Sequence, residues 1–401
     1  MELLNRIIKV PNRARGVFYG WWLVVLSAFT LGIAISPVFQ GMTVWAVALE
    51  RHFGWSRTQL GLVLAFSRVE AGIMGPVEGF LTDKLGSRLM VLIGLLILGV
   101  GFLIFGKVSN LWMFYLAFIV MSTGNGLGSF LPLMTMLNNW FSRHRAFAMG
   151  LAGIGAHMGT FLLVPLIAWA IDPDQDRLGW KLTAYLCGGF ILIIALPLSM
   201  LMRNRPSDYG QSPDGDPPVQ AQTVQSTETP SEHNEGSSGT NSQDFTIAQA
   251  VRTPAFWFIA FGHGLAAMVV VAIFGHLGLM LQDKGISIQM TGWIVAVYSG
   301  VAMIFQIVGG FIGDLIPKRV ALFIFTSIQG LALVILAIGS SLTLMFVFAV
   351  LIGIGFGGRS PLASAIRGEY FGRASYAKIF GISMVPMNAL MVFASPFAGF
   401  M

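Results

Sequence analysis

Gly79-Phe-Leu-Thr-Asp83-Lys84-Leu-Gly86-Ser-Arg88 joins two long apolar runs, and Gly310-Phe-Ile-Gly-Asp314-Leu-Ile-Pro-Lys318-Arg319 joins two more about 230 residues later. Each copy starts on small residues at a helix end, passes an aspartate and finishes on basic side chains. The repeat continues beyond this turn. Gly124-Asn-Gly126-Leu-Gly128-Ser-Phe-Leu-Pro132 is answered by Gly353-Ile-Gly355-Phe-Gly357-Gly-Arg359-Ser-Pro361. Both are followed by an aromatic pair and an arginine, Trp140-Phe141-Ser-Arg143 and Tyr370-Phe371-Gly-Arg373. Short features recurring in the same order mark an internally duplicated chain.

The solvent of that chain is lipid. Of its residues 55% are hydrophobic and only 10% charged, and the mean hydropathy is +0.75, outside the range of soluble domains. A run of about 20 apolar residues crosses a bilayer core as a helix. Such runs are expected at 17–40, 58–81, 89–106, 111–138, 146–171 and 182–203, then at 255–281, 288–313, 320–339, 342–366 and 376–401. The expected fold is therefore an all-α polytopic membrane protein of two pseudo-repeated helical bundles around a central cavity, with 6+5 helices seen where duplication calls for 6+6. Two readings of the odd count stay open: a sequence lacking its last helix, or a genuine eleven-helix chain.

The expected domains are an N-terminal bundle over 1–203, a linker over 204–246 and a C-terminal bundle over 247–401. The linker is rich in Pro, Ser, Gly, Gln and acids, too poor in large apolar side chains to offset its ordering entropy, and is expected to be disordered. Basic residues set the orientation. With the N-terminus in the cytoplasm, Arg13, Arg15, Lys84, Arg88, Arg143, Arg145, Lys318 and Arg319 all lie inside, while few cations fall on the opposite segments. The formal charge of +6 thus reflects topology, and nucleic-acid binding is not implied. Cys187 is the only cysteine, which excludes an intramolecular disulfide and a cysteine metal site. No nucleophile triad, metal-ligand spacing or phosphate-cradling Gly-Lys-Ser/Thr loop is present, so neither enzyme chemistry, a cofactor nor ATP-driven transport is expected. The glycine-rich stretches lie inside apolar helices, where close helix packing is their first meaning.

Over essentially its whole length the sequence resembles the major facilitator superfamily. Gly79-x-x-Thr-Asp83-Lys84-x-Gly86-x-Arg88 is similar to that family's loop between helices two and three, and 310–319 stands where the family places the counterpart loop. The resemblance implies two six-helix bundles, alternating access, and a conformational latch at Asp83, Lys84, Arg88 and Asp314, in which Asp83 caps or pairs near a helix end. Within the superfamily, Asn139-Trp-Phe141-Ser-Arg143-His-Arg145-Ala-Phe-Ala148-Met-Gly150-Leu-Ala152-Gly153, the entry Tyr19-Gly20-Trp21-Trp22, and Gly275-His276-Leu277 with Asp283-Lys-Gly285-Ile-Ser287 resemble the monocarboxylate porter and oxalate/formate antiporter group. That implies a small organic anion, most simply a monocarboxylate, moved across a cell membrane by a protein working as a monomer, with protons as possible co-substrate. The first span lacks a lysine and the eighth lacks an aspartate–arginine pair, so the charge pattern of the animal-type porters is not reproduced. Export of a lipophilic compound and a non-transporting receptor on the same fold are the alternatives.

Intramembrane ionisable residues are the candidates for chemistry, because such groups are costly unless they face a cavity or a partner. A guanidinium stays charged and holds a carboxylate through two parallel hydrogen bonds. Arg359, in the tenth run, is the first candidate for substrate contact and Arg68, in the second, the next. Arg359 can equally be a clamp on carbonyls or a gate, and Arg68 can equally pair with a neighbouring acid. Glu70 stands about 200° around the helix from Arg68 and, with His157, is the candidate for proton coupling. Glu78 is close enough to the Asp83 loop to be assigned to the latch. Trp45 and Phe130 are either cavity aromatics or packing.

Overall fold

The computed structural model describes residues 18–171, 177–215, 244–286 and 288–392, and among these residues it contains helices, turns and irregular connections but no strand. The first helix runs through Tyr19–Ile35 (α1), a π-helical turn at Ser36–Gln40 and Met42–Phe53 (α2). The helices α3 (Arg57–Leu85), α4 (Ser87–Gly106), α5 (Leu111–Gly128), α6 (Phe130–Trp140), α7 (Arg145–Ile171) and α8 (Gly179–Leu201) follow. After the linker come a short α9 (Ile247–Arg252), then α10 (Pro254–Asp283), α11 (Ile288–Leu315), α12 (Lys318–Ile338), α13 (Leu342–Phe371) and α14 (Tyr376–Val392).

Among the described residues, nine helical stretches are long and apolar enough to cross a membrane. Of the expected runs, α3, a 29-residue helix, and α14, described only to Val392, are not among these nine. The first span differs from its expected end at residue 40. Pro37 lacks the N–H that an α-helix needs, the chain answers with one wide π turn, and the helix resumes to Phe53, ended by Gly54 at φ 71°. The fourth span breaks between α5 and α6 at Ser129. Pro132 deprives the Gly128 carbonyl of its partner four residues on, which accounts for the break there. Polar caps start several helices: Ser56 and Gln59 form a reciprocal box on α3, and the Asn110 side chain accepts from Met113 N–H at 2.9 Å on α5.

Lipid supplies no hydrophobic drive between helices, so contact depends on small residues that let backbones meet. In the first repeat α1 packs on α7 where Gly155 faces the Ala28 carbonyl, and α4 packs on α5 where Gly94 faces Gly128. In the second, α11 and α12 both pack on α13, whose Gly357 faces Ala302 and whose Gly355 and Gly358 face Phe325. These glycines therefore form helix seams and do not open space around Arg359. Two seams join the repeats and are built alike. On α3, Gly75 and Gly79 face Gly381 and Ala377 of α14; on α7 and α11, Gly150 faces the Gln306 carbonyl while Gly310 faces Ala146 and Phe147.

The linker differs from expectation at both ends. Residues 204–215 and 244–246 belong to the fold, while 216–243 fall outside the described residues. Asn204 Oδ1 accepts from Arg88 N–H at 2.9 Å, and the Arg203 guanidinium lies between the rings of Tyr19 and Tyr209 at 3.8 and 4.2 Å. Asp214 Oδ2 accepts from the backbone of Ser142 and Arg143, both at 2.8 Å, and Asp244 Oδ1 accepts from Arg373 and Ala374 at 2.8 and 3.2 Å. These are the same turn in each repeat, clipped by the two ends of one linker. Specific polar partners order segments whose composition offers no core.

Because Gly155 abuts a backbone carbonyl that cannot step aside, Gly155→Leu is expected to destabilise the protein by about 1–3 kcal/mol. Gly189→Ala, where a Cβ meets nothing within 4 Å, is expected to be neutral. Thermal unfolding midpoints of the two variants in one detergent check this, and equal midpoints would remove the seam argument.

Candidate functional site

Between the repeats lies a cavity of ≈ 280 Å³, walled by α1, α3, α5, α6, α10 and α14. Its polar lining comes from α3 (Ser67, Arg68, Glu70, Glu78), α5 (Ser122, Asn125), Ser129, α10 (His263) and α14 (Asn388). Phe39, Phe130, Phe380, Met384, Met387 and Met391 supply apolar surface. Thus one fixed cation, two carboxyl groups and an imidazole share a space large enough for a small organic molecule.

Arg68 is exposed to this cavity and makes no ion pair with a described carboxylate. Glu70 accepts from the Ser122 hydroxyl at 2.8 Å and from the Thr123 hydroxyl at 2.9 Å, which holds it against α5. Glu78 lies in the cavity wall, 4% exposed, with its carboxyl over Gly126. Its nearness in sequence to the Asp83 loop is thus misleading: Glu78 is more than one turn back along α3 and points inward. His157 lies on α7, outside the residues that line the cavity.

Arg359 also lies outside the lining residues. It is 3% exposed on α13, its Nε has no hydrogen-bond partner, and with Arg367 it bears electrostatically on His263. Arg367, which an expected helix end at 366 assigns to a loop, is instead inside α13 and 1% exposed. It donates through Nε to Ser383 Oγ at 2.9 Å and through NH1 to the Ala363 carbonyl. Its guanidinium carbon stands 4.5 Å from the centre of the Phe380 ring.

Of the two cavity-candidate aromatics, Trp45 is buried, donates Nε1–H to the Pro37 carbonyl at 3.0 Å and packs on Phe105, whereas Phe130 lines the cavity against Phe380. Cys187 is a free, partly buried thiol away from the cavity lining. Among the described residues no group of three or more His, Cys, Asp or Glu is arranged to hold a metal.

One end of the molecule is tied by the repeated loop. Asp314 accepts from the backbone N–H groups of Ala146 at 3.0 Å and Phe147 at 2.9 Å, in the first turn of α7. Asp83 faces the corresponding N–H groups of Ala377 and Lys378 in the first turn of α14, with the Lys378 ammonium 3.6 Å away. A carboxylate at a helix N-terminus gains from unpaired amides and the positive end of the helix dipole. Lys84 is exposed and Arg88 uses its backbone on Asn204, so the cation beside Asp83 comes from the other repeat. Lys318 pairs with Glu369 at 2.8 Å and lies 3.9 Å from Asp314. Sequence reasoning missed Lys378, Arg367, Asp214 and Asp244. Only the equivalence of the starts of α7 and α14 carried a signal for the first of these.

The family model of the Major Facilitator Superfamily matches residues 21–290 and 256–401. Monocarboxylate transporter 13 of Rattus norvegicus is 23% identical over 95% of this chain and 82% of its own length. Monocarboxylate transporter 14 of Homo sapiens is 30% identical over 52% of this chain and 40% of its own. Among solved structures, FucP, a transporter captured in the outward conformation, superposes with a TM-score of 0.66 over 95% of this chain and 91% of that one, at 15% identity.

Replacing Asp314 by Ala deletes acceptors for two helix-terminal amides, a loss of about 1 kcal/mol or somewhat more. In the Asp314→Ala variant, spin labels at Leu85 and Tyr370, exposed on either side of the tied end, are expected to give a distance distribution broadened toward longer separations. An unchanged distribution would mean that the contact does not hold that end together.

Proposed function

The chain belongs to the Major Facilitator Superfamily, and from that premise we propose that it carries a small organic anion, a monocarboxylate, through the central cavity by alternating access. It is a multi-pass membrane transporter and not an enzyme. The observation that carries the anion reading is Arg68, a guanidinium exposed to the cavity without a carboxylate of its own. A permanently charged fork in a low-dielectric space favours a bidentate anion. The names of the monocarboxylate transporters it resembles point to the same class.

In this reading Arg68 holds the carboxylate and Arg359, buried on α13 without an acid partner among the described residues, adds positive potential from behind His263. Glu70, on the cavity, is the first proton-coupling candidate and His157 the second. Asp83 and Asp314, with Lys84 and Arg88 on the loop, latch one end of the two bundles; release of the two helix starts lets the cavity face the other side. In this reading the latch and the N-terminus face the cytoplasm across a cell membrane, which the excess of basic residues on the loops of that side supports. The two bundles then comprise 1–203 and 247–401, and each monomer suffices for transport.

A second reading, export of a lipophilic compound, draws support from the three methionines and three phenylalanines of the wall, since Met-rich surfaces adapt to varied apolar shapes. Uptake of labelled small carboxylates into proteoliposomes, with and without an inward proton gradient, separates the two. Saturable uptake is expected, falling at least about tenfold in Arg68→Ala, in keeping with loss of a charge-assisted bond, and less in Arg359→Ala. In Glu70→Gln, stimulation by the proton gradient is expected to vanish while exchange persists. Absence of carboxylate uptake from correctly folded protein would favour the lipophile reading.

A further inference from the structure

His263 on α10 lines the cavity, and the group behind it decides its chemistry. Arg367 NH1 and NH2 each stand 3.4 Å from His263 Nδ1. A guanidinium has only donors, so Nδ1 must present its lone pair to the arginine. In a neutral imidazole whose Nδ1 accepts, the proton is on Nε2. A second proton on Nδ1 would set N–H against the N–H groups of a cation that cannot withdraw. Arg367 is pinned by Ser383 Oγ, the Ala363 carbonyl and the Phe380 ring. Ser383 in turn donates to the Phe380 carbonyl at 2.7 Å, so the support runs from α13 to α14 and back to the cavity wall.

Charged and polar groups approach His263 from several elements. On α13 the second cation bearing on His263 is Arg359. Across the cavity, α3 brings Arg68, Glu70 and Glu78, with Glu70 held by the hydroxyls of Ser122 and Thr123 and Glu78 over Gly126. From α14, Tyr376 acts on Arg367 and donates its own hydroxyl to the Ser364 carbonyl at 3.1 Å. From α12 the neighbour is Gln329, whose amide donates to the Ala266 carbonyl of α10 at 3.1 Å and does not titrate.

We propose that Arg367 is a positioning residue that fixes His263 in its Nε2–H form, so that His263 serves the cavity as a neutral hydrogen-bond donor to an oxygen of the bound carboxylate and not as a proton carrier. The identity of that acceptor rests on the anion reading; the tautomer does not. The arrangement favours cargo with an acceptor oxygen where the imidazole reaches, and it divides labour between a charged fork at Arg68 and an uncharged donor at His263.

The test begins without substrate. The full chain, labelled with ¹⁵N-histidine and placed in nanodiscs, is examined by NMR from pH 8 to 5, with the His263 signals identified by their loss in His263→Gln. An unprotonated Nδ1, a protonated Nε2 and no titration are expected. An Nδ1–H tautomer, or a protonation step in that range, would overturn the proposal. In Arg367→Gln, whose side-chain amide can accept as well as donate, a share of the Nδ1–H tautomer is expected to appear, and it is expected to be absent while the guanidinium is present. Arg367→Lys, which keeps a cation and donors at the site, is expected to leave His263 in its Nε2–H form and covers the case in which the glutamine variant fails to fold. His263→Gln, able to accept from Arg367 and donate into the cavity, is expected to keep KM within a few-fold, whereas His263→Leu raises it about tenfold with kcat little changed. A wild-type protein with the expected tautomer but no carboxylate uptake would refute the anion reading alone. Uptake with KM unaltered in His263→Leu would refute the role of His263 while leaving that reading intact.

Discussion

Backbone contact at glycine is the constraint on which the rest of this structure depends. Water-driven burial does not select helix partners within lipid, so the helices pair where the absence of a side chain lets one backbone meet another. The cavity lies beside the two inter-repeat seams because those seams bring α3, with Arg68, Glu70 and Glu78 all lining the space, opposite α10 and α14. The aspartate contacts follow from the same approach. Gly79 meets Ala377, and Asp83, one turn further along α3, thereby reaches the first amides of α14. Gly310 meets Ala146, and Asp314 reaches the start of α7 in the same way.

Charge is then distributed unequally around the space the seams create. Acids collect on α3, where Glu70 is satisfied by two hydroxyls from α5. Cations collect on α13, where Arg359 and Arg367 are almost fully buried and neither has a carboxylate partner among the described residues. Removing a cation from water costs several kcal/mol unless something compensates. Arg367 finds compensation in a hydroxyl, a carbonyl, an imidazole and an aromatic face. Arg359 keeps an unpartnered Nε, which is the condition in which a guanidinium adds field to a neighbouring cavity instead of cancelling a local charge.

Much of the architecture was legible in the order of residues. Apolar runs of membrane length, the duplicated aspartate turn and the repeated glycine stretch are local patterns, and local patterns survive folding unchanged. Arg68 and Glu70 were legible as intramembrane charges because composition alone makes them anomalous. Glu78 was misassigned because nearness along a helix was taken for nearness in space, while its angular position on α3 turns it into the cavity. Arg367 was placed in a loop because the apolar run fades at residue 366, five residues before α13 ends at Phe371. The linker was misread at its ends because composition predicts the average behaviour of a segment, whereas Asp214 and Asp244 are ordered by particular amides waiting at two turns.

The sequence by itself determined that this is an all-α, duplicated membrane protein, where its apolar runs lie, and which charges must be accounted for within the bilayer. Tertiary structure alone decided which of those charges share a space: that Lys378 stands beside Asp83, that Glu78 faces inward, and that a buried arginine backs the histidine of the cavity. The reason is that spacing along a helix fixes which residues share a face, but only the crossing of one helix on another fixes what that face meets.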